Sequence, residues 1–203
     1  MISTRAWRED YGTRVLLDSF RLAYQREPRL RLVLLGEGPL APDVHSYIEQ
    51  YELSTAVHIL GQRPEDELPE YFRSADVYLS CAPCDGSSIS LLGAMATGLP
   101  VIASDRASNR EWVKHEENGW LAHAGEPESF ARALAAAARL APNRRRAMAS
   151  TNREVASRDA NWDQNFPQLL DAYTQLYTNA RYERPAEYDR GLAQQRNHIG
   201  STR

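Results

Sequence analysis

Residues 76–105 read DVYLSCAPCDGSSISLLGAMATGLPVIASD, and this stretch decides the fold. Its apolar run at 77–79 predicts a buried strand, and the run at 101–103 predicts a second one. Between them, residues 89–97 carry apolar positions at helical spacing, and Gly98 is typical of a helix end. A strand, a helix and a second strand in this order are typical of a parallel sheet.

The loop between the first strand and the helix has the features of an anion site. Gly86 lets a ligand approach the backbone, and neighbouring serines supply hydroxyl groups. The backbone amides at the start of a helix have no partner inside it, so they and the helix dipole favour a phosphate or diphosphate. These amides belong to Ser87, Ser88, Ile89 and Ser90. Asp85 is suited to accept hydrogen bonds from sugar hydroxyls, so we expect a phosphorylated sugar at the carboxyl end of the sheet.

The stretch resembles the signature of group 1 glycosyltransferases with the GT-B fold, E-G-F-G-x-x-x-x-E-A-M-A-x-G-x-P-V-I. Its counterpart is DGSSISLLGAMATGLPVI at residues 85–102. The resemblance covers roughly residues 3–177 and corresponds to the C-terminal, donor-binding half of that fold. It implies a retaining glycosyltransferase that takes a sugar from a nucleoside-diphosphate sugar, such as a UDP sugar, and passes it to an unknown acceptor.

The resemblance also implies roles for individual residues. Arg5 matches an arginine that binds the donor diphosphate, and Asp85 would contact the sugar, so these two are the catalytic candidates. The candidates for binding the nucleotide sugar are Gly36, Gln62, Arg63, Gly86, Ser87, Ser88, Ile89 and Ser90. Asn109 and Glu111 are further candidates near the donor. The resemblance implies no metal and no cofactor besides the donor substrate, and the sequence contains no D-x-D pair.

Two positions depart from the family pattern. Gly93 stands where the family has a glutamate that holds the ribose hydroxyls. Because each charged hydrogen bond contributes about 1.5–3 kcal/mol, its loss predicts nucleotide binding weaker by one to a few decades. Tyr11 stands where a lysine is expected before the matching Gly12, and Arg8 or Arg14 are possible substitutes.

These departures leave a second function open. A non-catalytic module that binds a nucleotide or phosphosugar would explain Gly93 and Tyr11 together. A third alternative, a nucleotide-sugar epimerase, would need an acid–base pair that the histidines and carboxylates do not supply convincingly.

Strands and helices alternate through the chain, which predicts an α/β fold with βαβ units. We expect a single Rossmann-like domain over residues 1–178, with a parallel sheet of about six strands and helices on both faces. Residues 179–203 are polar and predict a flexible tail. The first strand begins at the first residues, so we expect the N-terminal half of a GT-B fold as the partner of this chain.

The composition narrows the class further. The formal net charge is −3, which does not favour nucleic acid as a partner, and there is no apolar run long enough to span a membrane and no signal-peptide pattern. We therefore expect a cytoplasmic protein. Cys81 and Cys84 form a C-x-x-C pair at a strand end, where two reduced thiols are favoured over a redox or metal motif.

Overall fold

The structure of the chain is a computed structural model, and it describes residues 1–179. Within these residues six parallel strands form one sheet in the order β3-β2-β1-β4-β5-β6. The strands are β1 (Ile2–Ser3), β2 (Leu32–Leu35), β3 (Val57–Gly61), β4 (Tyr78–Ser80), β5 (Val101–Ser104) and β6 (Gly119–Ala122). The predicted α/β fold with a Rossmann-like parallel sheet of about six strands is confirmed.

Helices cover both faces of this sheet. They are α1 (Thr13–Arg26), α2 (Ala41–Gln50), α3 (Leu68–Arg73), α4 (Ile89–Ala96), α5 (Ala107–Trp112), α6 (Pro127–Ala138) and α7 (Pro142–Asp159). The chain then continues with α8 (Trp162–Asn179). One buried cluster joins the sheet to α1, α2 and α6, and the other joins it to α3, α4 and α7.

Strand β4 shows how the sequence feeds both clusters. Leu79 belongs to the first cluster and Tyr78 to the second, and both are fully buried. Successive side chains of a strand point to opposite faces, so adjacent apolar residues are needed where both faces are covered. The continuous apolar runs of β4 and β5 follow from this burial.

Two helices begin elsewhere than their sequence patterns indicate. The sequence after β3 predicts one helix over residues 65–74, but the structure has a 3-10 turn at Glu65–Glu67 followed by α3, which places Pro69 in the first turn of α3. Proline is tolerated there because its missing N–H would be unpaired in any case. The sequence also predicts a last helix over residues 166–177. In the structure α8 begins at Trp162, because Asn161 Oδ1 accepts a hydrogen bond from the Asp163 amide at 3.0 Å.

Residues 1–160 form one compact unit, and α8 belongs to a second unit that begins at Asn161. The domain boundary at residue 178 stays a prediction, and the predicted tail lies outside the described residues from residue 180 onward. None of the helices in the described part of the chain is both long enough and apolar enough to cross a membrane.

The buried side chain of Asn152 links α7 to the loops that precede β5 and β6. Its Nδ2 donates hydrogen bonds to the carbonyl oxygens of Leu99 and Asn118, both at 2.9 Å. Asn118 in turn donates to the Trp112 carbonyl at 3.0 Å and accepts from the Lys114 amide at 2.7 Å. This network fixes the helices that follow β5 against the sheet.

We expect Asn152→Ala to lower the free energy of unfolding by about 2–3 kcal/mol, because it leaves two buried carbonyl groups without a donor. Urea denaturation measures the change. Asn143→Ala on the exposed side of the same helix is the matched control and should change stability by less than about 0.5 kcal/mol. Equal effects of the two substitutions would show that the Asn152 network does not stabilise the fold.

Candidate functional site

The candidate site lies where β4 ends and α4 begins, at the carboxyl edge of the sheet. Ser88 is the N-cap of α4, with extended backbone angles, and its buried hydroxyl accepts a hydrogen bond from the Leu91 amide at 3.4 Å. The amides of residues 87–90 donate no hydrogen bond to any described residue. The predicted loop and cap are confirmed, and these amides are available to an anion.

Two of the predicted glycines play different parts around this loop. A methyl group added at Gly86 would meet no atom within 4 Å, so open space lies in front of the loop. Gly36 has a φ of 136°, and a methyl group there would lie 2.7 Å from the Arg5 carbonyl oxygen. Gly36 is therefore required for close packing against the end of β1.

The guanidinium of Arg5 is held by three groups. Nη1 donates a hydrogen bond to Ser88 Oγ at 2.9 Å, and Nη2 lies 2.8 Å from Asp85 Oδ2. On its face, Cζ lies 4.1 Å from the centre of the Tyr11 ring. The Arg5 side chain is 13% exposed and that of Asp85 is 19% exposed. The structure thus brings together the two predicted catalytic residues, which are separated by eighty positions in the sequence.

The Arg5 guanidinium has N–H groups that donate no hydrogen bond to the described part of the protein. Arg5 Nε is buried and has no hydrogen-bond partner among the described residues. The guanidinium has more N–H donors than Ser88 and Asp85 use. A neighbouring anion can therefore bind Arg5 without displacing the hydrogen bond to Ser88.

Three side chains that follow β5 support the loop from its other side, and sequence reasoning missed all three. Arg106 Nε donates to the Pro83 carbonyl at 2.8 Å, Ser108 Oγ donates to the Asp85 carbonyl at 2.7 Å, and Trp112 Nε1 donates to Ser87 Oγ at 3.1 Å. In the sequence, the only indication of this role is that residues able to donate hydrogen bonds follow the second predicted strand of the motif. These contacts hold the loop in place without using the amides of α4.

Asn109 and Glu111 were predicted to lie near the donor, but the structure does not place them in this loop. Asn109 is buried, and its Nδ2 donates to the Ser104 carbonyl at 2.8 Å, so it fastens α5 to the end of β5. Glu111 is exposed. Neither residue contacts the group formed by Arg5, Asp85 and Ser88.

A cleft of about 380 Å³ adjoins the first turn of α4. It is lined by Arg63, Glu65, Leu68, Pro69, Phe72, Ile89, Ser90 and Gly93. Three predicted binding residues, Arg63, Ile89 and Ser90, therefore share one cleft, whereas Gly36 and Gln62 do not line it. A methyl group added at Gly93 would lie 3.4 Å from Phe72 Cε2, so a side chain at this position would extend into the same cleft.

The possible substitutes for the missing lysine are engaged elsewhere. Arg8 Nε lies 2.9 Å from Asp10 Oδ1, and this hydrogen bond raises the pKa of the Arg8 guanidinium above its usual value. Arg14 lines a separate hollow beside Glu9 and Asp43. The position of the lysine is filled by the Tyr11 ring against Arg5.

The two cysteines are free thiols, as predicted. Cys81 is buried, and burial raises the pKa of its thiol well above the usual range. Cys84 is exposed and directly precedes Asp85.

Within residues 1–179 no cluster of three or more His, Cys, Asp or Glu side chains is placed to hold a metal ion.

The sequence of this chain is similar to those of known proteins. The sequence model of the family described as "Glycosyl transferases group 1" matches residues 1–155. The amylovoran biosynthesis glycosyltransferase AmsK of Erwinia amylovora is 31% identical over 142 residues, which are 67% of this chain and 34% of the relative. The putative colanic acid biosynthesis glycosyltransferase WcaL of Escherichia coli K12 is 33% identical over 141 residues, which are 66% of this chain and 34% of the relative.

Solved structures show the same fold. The crystal structures of Anabaena Alr3699/HepE in complex with UDP and with UDP-glucose have a TM-score of 0.78 at 20% identity. The match covers 86% of this chain and 48% of that chain. The chain thus spans about a third of the length of the two curated relatives and about half of this structure.

We expect Asp85→Asn to strengthen the binding of inorganic pyrophosphate severalfold. The carboxylate lies against the cation that an anion would use, so its removal raises the local positive potential. Isothermal titration calorimetry measures the affinity. Asp105→Asn is the matched control, because it removes the same charge from an ion pair with Arg110 after β5. Weaker pyrophosphate binding by Asp85→Asn would contradict a shared anion site.

Proposed function

Because the chain belongs to the group 1 glycosyltransferase family, we propose that it is the donor-binding domain of a retaining glycosyltransferase that uses a nucleoside-diphosphate sugar. The observation that carries the proposal is the partly buried Arg5 guanidinium, held against Asp85 and Ser88 beside the unpaired amides of residues 87–90. A fixed cation beside free backbone donors is the arrangement that a diphosphate requires.

In this proposal Arg5 and the amides of residues 87–90 bind the diphosphate of the donor. When the bond between the sugar and the diphosphate breaks, negative charge grows on the departing phosphate oxygen. Donors that are already in place stabilise this charge without having to reorganise. Arg5 and the amides would thereby supply the charge stabilisation, and we propose that the reaction needs no metal ion.

Asp85 would accept hydrogen bonds from hydroxyl groups of the transferred sugar. Its backbone carbonyl is fixed by Ser108 and its carboxylate by Arg5, so the side chain is held beside the diphosphate site. A carboxylate repels the diphosphate but is a strong acceptor for hydroxyl groups. This position therefore favours a donor that carries a sugar over the bare nucleotide.

The cleft beside α4 would receive the nucleoside. Leu68, Phe72 and Ile89 supply apolar walls, and Arg63 and Ser90 supply donors. Such a mixture suits a flat base and a polar ribose. The Anabaena neighbour was solved with UDP and UDP-glucose, which makes UDP the first ligand to test.

The acceptor site would lie on an N-terminal half of the protein. In a two-domain transferase the site is completed when the domains close, so we propose that this chain alone binds the donor without transferring the sugar.

We propose that the protein is cytoplasmic, because free thiols such as Cys81 and Cys84 are typical of a reducing compartment.

We expect Arg5→Ala to weaken UDP binding by about 10- to 100-fold, because the charged hydrogen bonds to the diphosphate are lost. Calorimetric titration with UDP, GDP and ADP measures the affinity and ranks the bases. Arg8→Ala is the control, because Arg8 is a nearby arginine paired with Asp10, outside the site. If the unaltered chain binds none of these nucleotides, the proposed function is wrong.

The same titrations, repeated with UDP-glucose, test the part assigned to Asp85. Asp85→Asn should reduce the preference for UDP-glucose over UDP. An unchanged preference would show that Asp85 does not bind the sugar, and it would leave the proposed role of Arg5 in diphosphate binding unaffected.

A second candidate function is a non-catalytic module that binds a nucleotide or phosphosugar. It is favoured by Gly93, which lines the nucleoside cleft without supplying a carboxylate from α4. Such a module would bind nucleotides weakly and would not transfer sugar even beside an N-terminal half.

Gly93→Glu tests whether the cleft is a working nucleoside pocket. We expect UDP binding to strengthen by about 10-fold or more, because the new carboxylate would accept hydrogen bonds from ribose hydroxyls. Gly93→Ala is the matched control, since it adds a side chain and raises helix propensity without adding an acceptor. Equal affinities of the Glu and Ala variants would show that ribose does not lie against α4.

A further inference from the structure

Tyr11 has no part in the function described so far, yet its ring covers the face of the partly buried Arg5 guanidinium. The Arg5 Cζ atom lies 4.1 Å from the ring centre, well within the distance at which an aromatic face attracts a guanidinium. Ser88 and Asp85 hold the edges of the same guanidinium at 2.9 and 2.8 Å. Arg5 is therefore fixed on its face by Tyr11 and along its edge by the loop before α4.

The turn that carries Tyr11 is itself firmly placed. Tyr11 ends a 3-10 turn at Glu9–Tyr11, which is closed by a hydrogen bond from the Gly12 amide to the Glu9 carbonyl at 3.0 Å. Thr13 Oγ1 accepts from the Arg8 amide and donates to the Arg8 carbonyl, both at 3.0 Å. The segment that holds the ring is thus braced before any ligand arrives.

Gly12 attaches this turn to the end of β4. Its φ is 68°, in the left-handed region that favours glycine, and a methyl group there would overlap the Cys81 carbonyl oxygen. Cys81 follows β4 and begins the loop that reaches Asp85 and Ser88. The turn of Tyr11 and the anion-binding loop are therefore packed against the same strand end, so the distance between ring and loop is set by the backbone.

We propose that Tyr11 is a positioning residue that holds the Arg5 guanidinium in place for the donor diphosphate. This inference rests on the proposed function. An aromatic face attracts the cation without using any of its N–H donors. Tyr11 thereby keeps Arg5 ordered without occupying the N–H donors that a ligand would use.

The ring, not the hydroxyl group, carries this role. The Tyr11 hydroxyl makes no hydrogen bond within the part of the chain that the structure describes, so its removal should cost little. The site accordingly contains one preordered cation at the position where Arg5 and a neighbouring lysine were expected. We expect its diphosphate affinity to depend strongly on whether Arg5 is held in the binding orientation.

A double-mutant cycle on the full 203-residue chain tests the proposal, with calorimetric titration of UDP and inorganic pyrophosphate. We expect Tyr11→Ala to weaken the binding of both about fivefold, and Tyr11→Phe to restore it to within about twofold of the unaltered chain. In an Arg5→Ala background the Tyr11→Ala change should have almost no effect, because there is no guanidinium left to position.

Tyr51→Ala is the matched control. The Tyr51 ring lies 4.7 Å from Arg21 Cζ, so it makes the same type of contact away from the site, and UDP binding should not change. Urea denaturation shows whether each variant is folded. The proposal is wrong if Tyr11→Ala weakens binding equally with and without Arg5, or if Tyr11→Phe loses as much affinity as Tyr11→Ala.

A second measurement needs no ligand, so it remains decisive if the chain binds no nucleotide and the proposed function fails. The Arg5 Nε–H signal in an NMR spectrum is assigned by its absence from Arg5→Ala. We expect it to move downfield in Tyr11→Ala, where the ring no longer shields it, and to stay in place in Tyr11→Phe. An unchanged signal in Tyr11→Ala would show that the ring does not position Arg5.

Discussion

The ion pair of Arg5 with Asp85, together with the hydrogen bond from Arg5 to Ser88, is the contact on which the site depends. It joins the end of β1 to the loop between β4 and α4. Strands β1 and β4 are neighbours in the sheet. A charge that is largely removed from water is costly without partners, and here the loop supplies a carboxylate and a hydroxyl to the guanidinium. The same cost makes an incoming anion a favourable additional partner.

The neighbouring elements keep this contact in register. Gly36 lets the loop after β2 pack against the Arg5 backbone, and side chains that follow β5 hold the loop of Asp85 from the opposite side. Their hydrogen bonds go to carbonyl groups and to one serine hydroxyl, so the amides of α4 remain available. The result is a site whose donors are in place before the ligand binds, which is what charge stabilisation during sugar transfer requires.

The departures at Gly93 and Tyr11 differ in their physical consequences. Gly93 leaves the cleft without a side chain from this position of α4, and under the proposed function this lowers the affinity for the nucleoside. Tyr11 replaces an expected cation by a neutral ring that orders the remaining cation. Under the proposed function, the first change removes a contact to the donor, and the second orders the cation that remains.

Local patterns in the sequence determined much of this protein. The apolar runs of β4 and β5 and the cap at Ser88 made the parallel sheet and the start of α4 predictable, because burial on both faces and helix capping depend on residues close in the chain. The motif at 85–102 likewise indicated the family, which the match to residues 1–155 confirms.

Only the tertiary structure decided how the site is assembled. The contacts of Trp112 with Ser87 and of Tyr11 with Arg5 join segments whose distances are set by the packing of separate loops at one sheet edge. The start of α8 at Trp162 shows the same limit locally, since the hydrogen bond from the Asp163 amide to Asn161 Oδ1 lies ahead of the predicted first residue, Phe166. Periodicity and spacing describe which residues share a face, but the direction of a loop side chain depends on what has packed around it.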